Sequence, residues 1–348
     1  MLRIACAFLV VASLCIAAAP GQPAPGPTFD SETAGLVPYF PSLRHAVRVK
    51  TVAGFKRAIA RARGGETIDV LGSVHVPGEF KGFNRVIRRG IANVVFEPGA
   101  GFTGMGESQT PAVWIRNAGG WRVWGGTITN PNGNGILVYA MPGPFTWTGF
   151  SVSDTGDTCV AVYPVGGNIN GLILKGVAGT MSANLAWDPH KEKGTGIHAW
   201  NIGDANGGVV QNSVFAADTL DQATGSAVEI DSGHIGDNVT VFARATHLGL
   251  PIPGTSWDGS AKQQQTAGNV IQIWGATLGG TLDIPYVEGN DIKGRIVQTT
   301  GNFPGADLSR GIVAYGRATG PILENPLFSR VAYAVTGGFR LGDVAPLP

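Results

Sequence analysis

The sequence predicts an all-β fold, a right-handed parallel β-helix with three sheets and an N-terminal cap helix. Three observations predict it. Glycine supplies 53 of 348 residues and charged residues only 14%. Without a Gly-X-Y period, that composition points to many short strands joined by tight turns. Short alternating strands also recur and superimpose: PAVWIRN from Pro111, NGILVYA from Asn134, TCVAVYP from Thr158, TGIHAWN from Thr195, SAVEIDS from Ser226, NVIQIWG from Asn269 and RGIVAYG from Arg310. Such self-similarity is the signature of a solenoid. Finally, one amphipathic segment, Val52–Arg63, puts Val52, Phe55, Ile59 and Ala62 on a single helical stripe, as a cap over an open end requires.

The chain opens on Met1–Ala19, with Arg3 ahead of an apolar run and small residues after it. That pattern reads as a secretory signal peptide, so a secreted, extracellular protein is expected. Residues 1–24 are assigned to the signal and leader, 25–48 to an extended N-terminal segment, and 49–348 to the β-helix. Two of the three cysteines, Cys6 and Cys15, fall in the signal. Cys159 alone remains, no intrachain disulfide is expected, and the core must hold the fold. Its position between small residues of neighbouring repeats marks it as filler.

One coil is clearest at GIHAWN, IGDANG, GVVQ, Asn212 and SVFAAD, read as strand, turn, strand, single Asn and strand. Asn suits a corner residue because it tolerates the left-handed conformation. The repeat interval lengthens from 23 residues (Val113 to Ile136) to 43 (Val228 to Ile271). The extra residues, Gly179–Gly194, Ala217–Gly225, Leu248–Gly268 and Gly301–Ser309, all precede the same strand of a coil. Insertions confined to one edge mark a binding face.

Alternation sorts the repeated strands. Val113/Ile115, Ile136/Val138, Val160/Val162, Ile197/Ala199, Val228/Ile230, Ile271/Ile273 and Ile312/Ala314 are expected inside. Two outward columns follow. The first is Trp114, Leu137, Ala161, His198, Glu229, Gln272 and Val313. The second is Arg116, Tyr139, Tyr163, Trp200, Asp231, Trp274 and Tyr315. Aromatic rows of this kind stack on sugar rings.

The polar residues meet mid-column. Glu229 and Asp231 lie on one face of one strand, about 6.5–7 Å apart from the strand rise, a spacing suited to the acid and base of an inverting glycosidase. His198 completes the expected catalytic group. Trp200, Trp274, Tyr163, Tyr139, Gln272 and Arg116 are expected to bind substrate, with Lys191 and Lys193 at the edge from the preceding loop.

The segment Gly54–Val76, followed by coils of the Gly-Ile-x-Val type, resembles the pectin-lyase-like parallel β-helix superfamily from about Val49 onward. The resemblance implies the fold and a carbohydrate polymer as partner. It leaves the chemistry open, because the superfamily holds lyases, glycoside hydrolases and adhesins. The polygalacturonase pattern is not met: Thr158 separates Asp157 from Cys159, and Thr195 stands where that family has His. From the spacing of Glu229 and Asp231, hydrolysis by that pair is the first expectation. Elimination from a uronic-acid polymer by a His, Lys or Tyr base is the second, and a non-catalytic glycan-binding surface the third. The net charge of +1 gives no footing for nucleic acid, and no membrane partner is expected. Oligomeric state is not legible. No cofactor is expected; calcium, held by Asp157, Asp204, Glu229, Asp231 and Asp237, is the alternative.

Overall fold

The computed structural model describes residues 28–105, 110–131, 133–156, 158–178, 199–203, 207–219, 227–246, 270–274, 282–292, 297–299, 312–318, 323–324 and 335–336. The fold is a parallel β-helix. Its longest sheet runs through Val47–Val49, Thr67–Val70, Ala92–Phe96, Trp121–Trp124, Phe145–Thr155, Leu172–Ala178, Ser213–Thr219, Val239–Thr246, Leu282–Ile292, Ile312–Ala318 and Val335–Thr336. A second, eight-stranded sheet runs through Val113–Ile115, Ile136–Val138, Val160–Val162, Trp200–Ile202, Val228–Asp231, Ile271–Trp274, Val297–Thr299 and Leu323–Glu324. Ile169–Asn170 and Val210–Gln211 pair on a third face.

The cap helix is Val52–Arg61, with the Thr51 side chain accepting the Gly54 N–H at its start. Phe55, Ile59 and Ala62 are buried, as the stripe requires. Phe55 meets Phe80, Phe96 and Phe102. Phe102 in turn meets Trp147, so an aromatic cluster fills the capped end. The corner Asn212 has φ +49°, as expected of it. It also belongs to a ladder: Asn212 Nδ2 donates to Asn170 Oδ1 at 2.8 Å, and Asn238 Nδ2 donates to Asn212 Oδ1 at 2.9 Å. Cys159 is buried beside Thr155 Oγ1, 3.1 Å away.

The inward row holds at Val113, Ile136, Val160, Val228 and Ile271 and departs from expectation at two places. Val160 pairs with Trp200, which pairs with Val228. Trp200 therefore takes the place expected of Ile197, which lies outside the described residues. The displacement is three residues, an odd number, so inward and outward faces exchange. The physical reason is size: Trp200 and Ile202 bury more apolar surface than Ile197 and Ala199 would, and the indole stacks on Phe150 at 5.9 Å. At the far end Ile271 pairs with Val297, while Ile312 pairs with Ile284 in the longest sheet.

The segment expected to be extended begins as a short helix, Phe29–Thr33, capped by Thr28 and Ser31 in a reciprocal capping box. Phe29 is fully buried against Ala216, Phe242 and Tyr286 on the outside of the longest sheet. Arg244 lies over its ring at 5.1 Å. Arg244 also makes a two-pronged pair with Asp218, at 2.9 and 2.6 Å. That hydrogen-bonded carboxylate raises the guanidinium pKa above its usual value, against the opposing effect of burial. From Phe29 the chain runs back along the sheet to Phe40, which meets Trp124, and joins the first coil at Val47.

Candidate functional site

The site is built on the outer face of the eight-stranded sheet. Its rungs pair Ile115, Val138, Val162, Ile202 and Ile230 inward. The next residue of each strand then gives one outward row: Arg116, Tyr139, Tyr163, Gly203 and Asp231, with Trp274 paired to Asp231. Five members match the expected column, and Gly203 stands where Trp200 was expected. Arg116 is exposed, and Tyr139 and Tyr163 are half-buried. Trp114 packs edge-on against Tyr139 at 5.4 Å. The second row is Trp114, Leu137, Ala161, Asn201, Glu229 and Gln272. Asn201 thus occupies the rung expected of His198.

Two residues expected to contact substrate are buried. Trp200 is 0% exposed and forms part of the core, so it offers no ring to a sugar. Gln272 is also 0% exposed, and Asn201 is 4% exposed. These buried amides stand on either side of Glu229 in the row. His198, Lys191 and Lys193 lie outside the described residues, as does the side chain of Trp274.

Asp231 has a partner that the sequence reading missed. The strand Val228–Asp231 runs straight into a 3-10 turn, Ser232–His234. The turn returns His234 to the carboxylate it has just left: Nδ1 lies 3.2 Å from Asp231 Oδ2. The Gly233 N–H donates to Asp231 Oδ1 at 3.0 Å, which fixes the carboxylate. The imidazole contact is a close approach that is not aligned as a hydrogen bond. Both side chains keep partial access, 21% for His234 and 28% for Asp231. The signal in the sequence was the tetrapeptide Asp231-Ser-Gly-His234, whose small middle residues permit the tight return.

Gly203 makes the room. Its φ is +94°, and a Cβ there would stand 2.9 Å from the Asp231 carbonyl oxygen and 3.3 Å from His234 Cβ. A carboxylate that orients an imidazole leaves the far nitrogen, Nε2, able to take a proton from a bound molecule. Glu229 lies two residues earlier on the same strand and on the same face. Among the described residues no group of three or more His, Cys, Asp or Glu side chains gathers as a metal site. Asp157 and Asp204 fall outside them.

No family model and no curated protein matches this chain. Among solved structures, an alginate lyase from Paenibacillus sp. str. FPU-7 aligns over 84% of this chain and 98% of its own, at 11% identity and a TM-score of 0.45.

Proposed function

We propose that the chain is an extracellular polysaccharide-cleaving enzyme that works by β-elimination on a uronic-acid polymer, with His234 as base. One observation carries the reading: His234 Nδ1 sits 3.2 Å from Asp231 Oδ2 on the outward row that Tyr139 and Tyr163 lead into. Asp231, held by the Gly233 N–H, lies beside Nδ1 of the ring. Nε2 then removes the proton α to a uronate carboxylate. The electron pair becomes the ring double bond as the glycosidic oxygen departs, and the imidazolium returns its proton to that oxygen. Tyr139 and Tyr163 offer ring faces to the sugar chain, and exposed Arg116 offers a cation to its carboxylates. The amino-terminal Met1–Ala19 stretch supports secretion. Engagement of Asp231 with His234 favours elimination over the hydrolytic pairing of Glu229 with Asp231.

The test is turnover of pectate and alginate, read as ultraviolet absorbance from new double bonds. His234→Gln should lower the rate by about 10² to 10⁴, the usual worth of a general base. Reducing ends without that absorbance would establish hydrolysis. Full activity in His234→Gln would refute the assignment of the base.

A further inference from the structure

We infer that the chain carries a second, non-catalytic site that binds an acidic oligosaccharide, in the cleft between the N-terminal strap (the segment from Phe29 to Val47 that lies along the sheet) and the outer face of the longest sheet. The cleft measures about 590 Å³ and is lined by Tyr39, Ser42, His45, Thr67, Asn93 and Arg122, among others. That volume lies within the range of about 300–1,000 Å³ found for small-molecule sites. The inference stands apart from the proposed elimination: the cleft lies on a different sheet, and Arg122 sits four coils nearer the cap than Asp231, or about 19 Å along the axis at about 4.8 Å per coil.

The floor is a single row. Thr67 pairs with Asn93, and Asn93 with Arg122, so their outward side chains form consecutive rungs. Arg122 is the informative member. Arg48 pairs with Asp69, and Arg244 with Asp218. Arg85 donates to the Ala60 and Ala62 carbonyls. Arg122 is half-buried and makes no such contact among the described residues. A half-enclosed guanidinium offers a planar fork suited to a carboxylate. The nearby carboxylate of Glu66 is turned to the Arg63 N–H, 2.8 Å away.

The wall supplies the second observation. Phe40 seats the strap on Trp124, two residues beyond Arg122 on the same strand. Its neighbour Tyr39 is left 91% exposed at the cleft. An aromatic face beside hydroxyl and amide groups, with one cation on the floor, fits a sugar ring that bears a carboxylate. A neutral sugar would leave Arg122 without a partner.

Tetragalacturonate and tetramannuronate are the probes, added to the full chain carrying His234→Gln so that turnover does not consume them. Binding is followed by titration calorimetry and by hydrogen exchange of peptides covering 39–47 and 65–67. At least one probe should protect both peptides, and the methyl ester of tetragalacturonate should not. Arg122→Gln should weaken that binding tenfold or more and abolish the protection; Tyr39→Ala should weaken it severalfold. Absence of protection with both probes would overturn the site. So would unchanged binding in Arg122→Gln, or equal protection by inorganic phosphate, which would mark a plain anion site.

Discussion

Gly203 shows how one residue can serve both the backbone and the chemistry. Its φ of +94° disfavours any side chain, and a Cβ would press on both members of the Asp231–His234 pair. Gly203→Ala should therefore cost stability, about 1–2 kcal/mol from the left-handed backbone alone, and should lower turnover beyond what the lost stability explains. Thermal melts and kcat on the same preparation would separate the two; normal kcat in a destabilised protein would detach Gly203 from the site. Trp200 tests the register in the same way. Buried against Phe150, it should lose about 3–5 kcal/mol as Trp200→Ala in denaturant unfolding. A surface platform would lose little stability and much sugar binding. The sequence could not choose between these readings, because both Ile197/Ala199 and Trp200/Ile202 alternate correctly. Alternation fixes a face only once the register is known, and an odd slip inverts it. Where the apolar positions offered a single choice, as at Val113, Ile136, Val160, Val228 and Ile271, the row was legible.

At the scale of elements, the strap is the feature least visible in the sequence. A five-residue helix is too short to show a period, and its docking depends on one residue, Phe29. The local sign was the capping box of Thr28 and Ser31, which predicts a helix start but not what it covers. Phe29 bridges strands far apart in sequence: Ala216, Phe242 and Tyr286 belong to three neighbouring coils. Asp30 adds a long contact to Lys175, 3.7 Å away, in the coil before them. Removing the ring should uncover all three coils together. Phe29→Ala should cost about 3–5 kcal/mol if the cavity stays open. Hydrogen exchange should quicken in 213–219, 239–246 and 282–288 and stay slow in the capped end around Val94 and Val123. Uniform exchange across the molecule would show that the strap is not a local clamp. The cap helix was legible for the opposite reason: ten residues carry enough turns for Phe55 and Ile59 to declare one face.

The β-helix is a stack in which each coil pairs with the coil before and the coil after, so its stability is approximately a sum of coil and interface contributions. Features repeated from coil to coil therefore matter more than their exposure suggests. The asparagine ladder is such a feature. Asn212 is exposed, and an ordinary surface substitution would change stability by about 0.5 kcal/mol at most. Two properties set it apart. Its backbone is left-handed at φ +49°, and its amide joins the coil before, through Asn170, to the coil after, through Asn238. A left-handed conformation costs an ordinary residue about 1–2 kcal/mol, and only glycine, asparagine and aspartate adopt it readily. Each ladder hydrogen bond contributes about 0.5–1.5 kcal/mol. Asn212→Gly removes the hydrogen bonds and keeps the backbone free, so it should cost about 1–3 kcal/mol on those figures. Asn212→Ala adds the conformational penalty and should cost about 2–5 kcal/mol. The order of stability should be Asn, then Gly, then Ala, read as midpoints of urea unfolding followed by far-ultraviolet circular dichroism. If Ala equals Gly, the corner relaxes and the left-handed backbone is not required. If Gly equals the parent, the amide ladder contributes nothing and the stack is held by its apolar rows alone.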